Sequence, residues 1–249
     1  MPTTCLIIAA GKGSRLQHEG PSKPLLPILG VPMIERVIRS ALEAGADDFL
    51  VITGYHSEHV RVFLDRLNDH LPVRLTAVMN KDWEQGNGLS VLQARNYLPA
   101  PFLLLMADHL FDSAMARRLL ETPLADDEIA LGVDNDVNNS SIDLADVTRV
   151  KLHDGKICQI GKGLINYDGF DTGIFKCTPS IFDVLERCAS VHDDTTLTGA
   201  VRALAHEGRV KAIDLSGHFW IDIDDPPAFT RAENALIAQL RDKRNDGPV

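Results

Sequence analysis

The chain has 249 residues, 45% of them hydrophobic, and a formal net charge of −10 at pH 7. This length allows one large domain with a sizeable core, which we expect over residues 1–241, with a polar tail over 242–249. The acidic balance argues against a nucleic-acid-binding protein, because such a protein needs a basic face. The four cysteines form no C-x-x-C pair and the N-terminus lacks the order of a signal peptide, so we expect unpaired thiols and a cytoplasmic location.

The first half of the chain alternates between two hydrophobic patterns. Apolar runs that predict buried strands lie at residues 4–10, 48–53, 73–79 and 101–106. Segments with helical spacing lie at residues 33–42, 57–67 and 88–97, and Ser57 is the predicted cap of the second. Strands that alternate with helices in this way predict a parallel sheet covered on both faces.

The second half is less regular. Strands are predicted at residues 128–133, 147–152, 156–160, 171–175, 210–215 and 218–223, and helices at 113–120, 179–188, 196–206 and 226–240. A polar stretch, Asp134 to Ser141, follows the first of these strands. The whole pattern predicts an α/β fold: a Rossmann-like three-layer sandwich with a mostly parallel mixed sheet.

A phosphate-binding loop is predicted directly after the first strand, at Gly11-Lys12-Gly13-Ser14-Arg15, with Lys23 shortly beyond it. A strand, a glycine loop and cations in this order bring backbone N–H groups and positive charge to phosphates. The spacing excludes two familiar glycine loops. The dinucleotide fingerprint needs a third glycine where Leu16 stands, and a P-loop needs four residues between its glycines, whereas one residue separates Gly11 from Gly13. An ordinary turn remains an alternative, although a turn does not need two cations.

Three aspartates are candidate metal ligands. Asp108 follows an apolar strand, and the carboxyl ends of strands are where ligands bind in open α/β sheets. A carboxylate that faces a phosphate loop predicts a magnesium ligand, with a helix cap as the alternative. Asp222 and Asp224 alternate on a predicted strand, so both carboxylates point to one face, which costs stability unless a cation lies between them.

The segment Gly86-Asn87-Gly88, followed by Ser90, is a candidate base-recognition loop. Asn87 offers both a donor and an acceptor to the edge of a base, and the glycines let the backbone approach a flat ring. The alternative is a glycine turn that leads into a helix.

These motifs together resemble the nucleotidyltransferases that join a nucleoside triphosphate to a phosphorylated sugar or alcohol, through their G-x-G-x-R-L…K-P-L signature. The chain is most similar to the CTP:inositol-1-phosphate cytidylyltransferases. The segments that carry this likeness are Glu84–Ser90, Met106–His109, Ile160–Leu164, Asp171–Phe175 and Trp220–Asp224. Two positions depart from the family pattern: Ser22 stands where Pro is common, and Ala107 where Gly is common.

The resemblance implies a nucleotidyltransferase (GT-A-like) fold and a site of four parts. The implied catalytic residues are Arg15 and Lys23. The implied nucleotide-binding residues are Ala9, Ala10, Gly11, Gly13, Ser14, Gly86, Asn87, Ser90 and Ala107. The implied acceptor-binding residues are His109, Asp143, Lys162, Asp171, Thr172 and Gly173. Lys162 is expected to bind the acceptor's phosphate, and Asp168 is a further hydroxyl partner. Asp108 and Asp224 are the implied Mg²⁺ ligands, and Asp222 is expected to share the ion.

The resemblance also implies the reaction and its partners. A cytidylyl group passes from CTP to a small phosphorylated polyol, best matched by inositol 1-phosphate, and gives a CDP-alcohol and pyrophosphate. Phosphocholine, an aminoalkylphosphonate, or a sugar 1-phosphate with another triphosphate remain alternatives. In some relatives this domain is fused to a membrane-embedded transferase. We therefore expect a soluble enzyme without nucleic-acid binding or membrane insertion, whose product is used by a separate membrane transferase.

Overall fold

The computed structural model describes residues 3–19, 22–139 and 142–245. Its first strand, β1 (Thr4–Ala9), lies near the middle of the main sheet and is buried on both faces. Cys5, Ile7 and Ala9 pack into the core on one side, and Leu6 and Ile8 into the core on the other. This alternation follows from the two-residue period of a strand.

The remaining strands are β2 (Pro27–Ile28), β3 (Val31–Pro32), β4 (Asp48–Thr53), β5 (Arg74–Met79), β6 (Phe102–Met106), β7 (His109–Phe111), β8 (Ile129–Asp134), β9 (Arg149–His153), β10 (Lys156–Gly161), β11 (Gly169–Cys177), β12 (Val210–Asp214) and β13 (Trp220–Asp222). The helices are α1 (Met33–Ala44), α2 (Ser57–Asn68), α3 (Asn87–Leu92), α4 (Ser113–Glu121), α5 (Ser180–His192), α6 (Leu197–His206) and α7 (Pro226–Asn245). Two 3-10 segments, Ser14–Glu19 and Lys23–Leu25, follow the phosphate loop.

The nine-stranded main sheet has the order β5-β4-β1-β6-β11-β8-β12-β10-β9. The strands β5, β4, β1 and β6 pair in parallel, as do β8 and β12, whereas β11 runs antiparallel to both of its neighbours. Helices α1, α2 and α4 cover one face, and α3, α5 and α6 cover the other. The predicted α/β fold with a mixed sheet is confirmed. The parallel pairing is concentrated in the first half of the chain.

Several predicted elements need correction. The helix predicted over residues 88–97 ends at Leu92, because i→i−3 turns replace the helix beyond it while Ala94 and Leu98 stay buried. Ser57 does not cap α2 through its side chain: its hydroxyl lies 2.7 Å from the Thr53 hydroxyl, and His56, with φ of 50°, precedes the helix.

A two-stranded ribbon, absent from the sequence predictions, positions the site. The strand predicted over 218–223 is shorter, β13, and it pairs antiparallel with β7 so that Asp222 lies opposite His109. The Ile223 N–H donates to the Asp108 carbonyl over 3.0 Å. This pairing brings Asp108 to Asp222 and Asp224, although the two segments are far apart in the sequence.

Candidate active site

Two cavities open at the carboxyl ends of β1 and β6, and Asp224 lines both. The phosphate-loop cavity is lined by Ile8, Ala9, Gly11, Gly13, Ser14, Arg15, Lys23, Pro24, Ala107, Asp108 and Asp224. The second, which we call the α7 cavity, has a volume of about 990 Å³ including its open mouth. Residues 142–148, strand β11, the start of α6 and the start of α7 contribute to its wall. The structure thus brings most of the predicted nucleotide residues together beside the predicted acceptor residues.

Lys23 lines the phosphate-loop cavity and contacts two of its aspartates. Its side chain is 8% exposed, and Nζ donates to Asp108 Oδ2 over 2.6 Å and to Asp224 Oδ1. Burial alone lowers the pKa of Lys23, but the two carboxylates outweigh burial and hold the pKa above its ordinary value. Gly13, at φ of +63°, lies so close to the Lys23 stem that a Cβ there would be 2.5 Å from the Lys23 Cβ. The second glycine of the loop is therefore needed for both its backbone angle and this contact.

Arg15 joins the two cavities through Asp146. Its guanidinium donates to Asp224 Oδ2 over 2.6 Å and to Asp146 Oδ2 over 2.8 Å. Asp146 also accepts from Lys162 Nζ, so one carboxylate binds the two cations that the sequence assigned to the triphosphate and to the acceptor phosphate. The hydrogen bond to Asp146 raises the pKa of Arg15, and hydrogen bonds from Lys162 and Arg15 lower the pKa of Asp146. Sequence reasoning missed Asp146, because it stands in an irregular segment with no recognisable motif.

A cluster of Asp108, His109 and Asp222 is the candidate metal centre, with one potential ligand atom of each residue within 4.8 Å of the others. His109 Nδ1 lies 3.0 Å from Asp108 Oδ1 and 3.7 Å from Asp222 Oδ1. In the described part of the chain, the buried Asp222 Oδ1 has no hydrogen-bond partner. A buried carboxylate oxygen without a donor fits a cation, and oxygen is the ligand that Mg²⁺ prefers.

The charged groups of this cluster shift one another's pKa values. Burial opposes ionisation of Asp108, but Lys23 outweighs it and lowers the pKa of that carboxyl. Burial raises the pKa of Asp222 to about 6, and the nearby Asp108 and Asp224 carboxylates add to this. Burial lowers the pKa of His109, but Asp222 and Asp108 outweigh it and raise the pKa to about 9. The cation that lies between Asp108 and Asp224 in the structure is the Lys23 ammonium.

Most of the predicted acceptor residues line the α7 cavity: His109, Asp143, Lys162, Asp171 and Gly173. Thr172 does not, because it is fully buried and its hydroxyl donates to the Gly132 carbonyl over 2.9 Å. Asp168 lies elsewhere and accepts from Lys151 Nζ.

Gly173 is the point at which β11 changes register against β8, and its φ is +74°. A Cβ at this position would clash with the His109 ring, so glycine allows that ring to lie against the strand. The Gly173 N–H donates to Asp171 Oδ1, while burial raises the pKa of Asp171 to about 6.

The predicted base-recognition loop has structural partners of its own. Asn87 lines the α7 cavity, but its Oδ1 accepts from the Leu197 N–H over 2.9 Å and so links α3 to α6. Ser90 is buried and accepts from Asn80 Nδ2, and the Gly86 N–H donates to the Thr195 hydroxyl. Ala10 is also buried, and its carbonyl accepts from the Tyr55 N–H. Base recognition by this loop stays a prediction.

Comparison with known proteins places these features in a family. Residues 5–213 match the MobA-like NTP transferase domain. The "Bifunctional IPC transferase and DIPP synthase" of Rubrobacter xylanophilus is 35% identical over 245 residues, which are 98% of this chain and 54% of that protein. The protein of the same name from Aquifex aeolicus is 30% identical, over 95% of this chain and 52% of its own length. The chain therefore spans about half the length of the curated relatives it matches.

Solved structures share the fold. The inositol-1-phosphate CTP transferase from T. maritima superposes with a TM-score of 0.81 at 26% identity, over 100% of this chain and 98% of that one. A UDP-glucose pyrophosphorylase complexed with UDP-glucose superposes with a TM-score of 0.80 at 19% identity, over 96% of this chain and 100% of that one, a likeness of fold alone. Among the described residues, no helix is both long and apolar enough to cross a bilayer. The chain belongs to the family of MobA-like NTP transferase domains.

Proposed function

We propose that this protein transfers the cytidylyl group of CTP to inositol 1-phosphate and releases pyrophosphate. The observation that carries the proposal is the buried Lys23, which joins Asp108 and Asp224 at the boundary between a phosphate loop and a carboxylate-lined cavity. The names of the T. maritima structure and of the bifunctional relatives support CTP and inositol phosphate as the substrates.

The chemistry is an in-line displacement at phosphorus. An oxygen of the acceptor's phosphate forms a bond to the α-phosphorus of CTP, and the bond from that phosphorus to the bridging oxygen of pyrophosphate breaks. A phosphate monoester is already ionised near neutral pH, so the attacking oxygen needs no general base. The protein therefore contributes positioning and charge neutralisation.

The residues of the phosphate-loop cavity divide this work. The loop of Gly11 to Ser14 surrounds the triphosphate with backbone N–H groups, and Arg15 and Lys23 neutralise the charge that develops on the α-phosphate and on pyrophosphate. Asp108 and Asp222, with Asp224 beside them, would hold a Mg²⁺ ion, which supplies further charge neutralisation when bound. The aspartates of the α7 cavity accept hydrogen bonds from the polyol hydroxyls.

The setting of the reaction follows from its product. A CDP-alcohol is an activated donor, and we propose that a membrane transferase uses it. The four cysteines are free thiols, which suits the reducing cytoplasm that we propose for the enzyme.

The test is pyrophosphate release with magnesium, measured for each of four nucleoside triphosphates against inositol 1-phosphate, phosphocholine, aminoethylphosphonate and a panel of sugar 1-phosphates. Release with CTP and inositol 1-phosphate, at least tenfold faster than with any other pair, is the expected result. Release with phosphocholine alone would refute inositol 1-phosphate as the acceptor. No release with any pair would refute the proposed transferase activity.

A further inference from the structure

Arg231 lies on α7, on the wall of the α7 cavity, and belongs to no motif described above. It stands three residues after Ala228, which lines the same cavity, so the two share one face of the helix. Ala228 and Ala232 are buried and fix that face against the protein. Arg231 also lies outside residues 5–213, the part that matches the family domain.

The guanidinium of Arg231 differs from the other cations of the site. Its Nε is buried and has no hydrogen-bond partner, and within the described residues no carboxylate lies within 4.0 Å of its nitrogens. Arg15, Lys23 and Lys162, in contrast, each bind at least one aspartate. A buried donor without a partner costs stability, and a bound ligand is one of the few things that account for it in a native protein.

The charge of the cavity indicates which ligand this is. Six aspartates line it, at positions 143, 146, 171, 222, 224 and 225, so a phosphate that enters meets strong repulsion. Among the described lining residues, Lys162 and Arg231 are the two that are lysine or arginine, and Asp146 already binds Lys162. His109, the further basic residue of this lining, already contacts Asp108 and Asp222. Among the described lining residues, Arg231 is therefore the cation without an aspartate partner, and it is available to an entering anion.

We propose that Arg231 binds the phosphate group of the acceptor and holds it in the α7 cavity beside Asp224. Arginine suits this task because its planar N–H donors match two phosphate oxygens at once. The proposal rests on the proposed function for the identity of the acceptor. It assigns the acceptor phosphate to the last helix in addition to the Lys162 that the sequence predicts.

The test measures binding directly, by titration calorimetry of inositol 1-phosphate and, separately, inorganic phosphate, without CTP. We expect Arg231→Gln to weaken both by about tenfold or more, the effect of losing hydrogen bonds to a charged group. Arg231→Lys should recover part of the loss. Arg241→Gln is the matched control, because Arg241 is an exposed arginine of the same helix, and it should bind as the parent does. Thermal unfolding checks that each variant is folded.

Kinetics provide a second readout. Arg231→Gln should raise the KM for inositol 1-phosphate about tenfold and leave the KM for CTP nearly unchanged, because the triphosphate of CTP is proposed to bind in the phosphate-loop cavity, which Arg231 does not line. A folded Arg231→Gln protein that binds inositol 1-phosphate as the parent does would overturn the proposal. Lost binding of inositol 1-phosphate with intact binding of inorganic phosphate would overturn it too, because Arg231 would then contact the polyol ring.

The two proposals fail in distinguishable ways. If the parent protein binds inorganic phosphate through Arg231 but neither binds nor uses inositol 1-phosphate, the proposed acceptor is wrong and the role of Arg231 stands. If the parent turns over inositol 1-phosphate and Arg231→Gln has unchanged kinetics, the function stands and the role of Arg231 is wrong. A parent protein that binds neither probe and releases no pyrophosphate with CTP and inositol 1-phosphate would refute both.

Discussion

The two cavities that share Asp224 differ in whether their charged groups already have partners. In the phosphate-loop cavity, Arg15 and Lys23 are both bound by aspartates, so a triphosphate must displace or join existing ion pairs. In the α7 cavity, one guanidinium and one carboxylate oxygen, on Arg231 and Asp222, have buried atoms without partners among the described residues. The cations of the phosphate-loop cavity are therefore paired within the protein, whereas two buried polar atoms of the α7 cavity are unpaired among the described residues. The following variants test this difference, from the largest expected effect to the smallest.

Lys23→Ala should have the largest effect. It removes the ammonium between Asp108 and Asp224 and should lower kcat by about a thousandfold, because a donor aimed at developing charge is lost. The protein should also unfold at a lower temperature, since two aspartates lose their cation. Steady-state pyrophosphate release and thermal unfolding measure the two effects. Lys151→Ala is the control, because Lys151 binds Asp168 outside both cavities; an equal loss in both variants would contradict the assignment.

Arg15→Ala should lower kcat on the order of a hundredfold with little change in unfolding temperature. The small effect on stability is expected because the Arg15 side chain is 52% exposed, and exposed ion pairs contribute little. Parallel measurements of turnover and of thermal unfolding separate the two quantities. Unchanged turnover would show that Arg15 does not act on the triphosphate.

Gly173→Ala should reduce activity about tenfold and lower stability by about 1–3 kcal/mol, because the residue has a positive φ and its new methyl group would displace the His109 ring. A denaturant titration gives the stability change, and turnover at increasing magnesium concentration reports on the candidate metal cluster. Gly217→Ala, which also has a positive φ but open space around it, controls for backbone strain alone. Equal losses in the two variants would mean that contact with His109 is unimportant.

Asp146→Asn should have the smallest effect. The variant removes the carboxylate that binds both Arg15 and Lys162. The KM for CTP should fall a few-fold, because the triphosphate no longer competes with this carboxylate for Arg15. The kcat should fall by less than about tenfold, because both cations lose a positioning partner. Initial rates across a range of CTP concentrations distinguish the two changes. Asp183→Asn, which breaks the surface pair with Arg95, should leave both parameters unchanged. A raised KM for CTP would indicate that Asp146 supports nucleotide binding instead of competing with it.

The sequence predicts those parts of the fold and of the candidate site that depend on residues close together in the chain. The alternation along β1 and the loop from Gly11 to Lys23 depend on neighbouring residues, and the confirmed α/β fold followed from such patterns. The ribbon of β7 and β13 was missed because each strand has three residues and its partner is distant in the chain. Asp146 and Arg231 were missed for a related reason. What distinguishes them is which charged side chains are paired in the folded protein, and the spacing of residues in a sequence does not show such pairing.

The ribbon of β7 and β13 has a consequence for how the site is assembled. Asp108 lies directly before β7, whereas Asp222 and Asp224 lie at the end of β13 and just after it, so they reach Asp108 only when β13 pairs with β7. Closing such a long loop is slow relative to forming local contacts. The cluster of Asp108, His109 and Asp222 therefore depends on this long-range pairing, which local contacts alone do not provide.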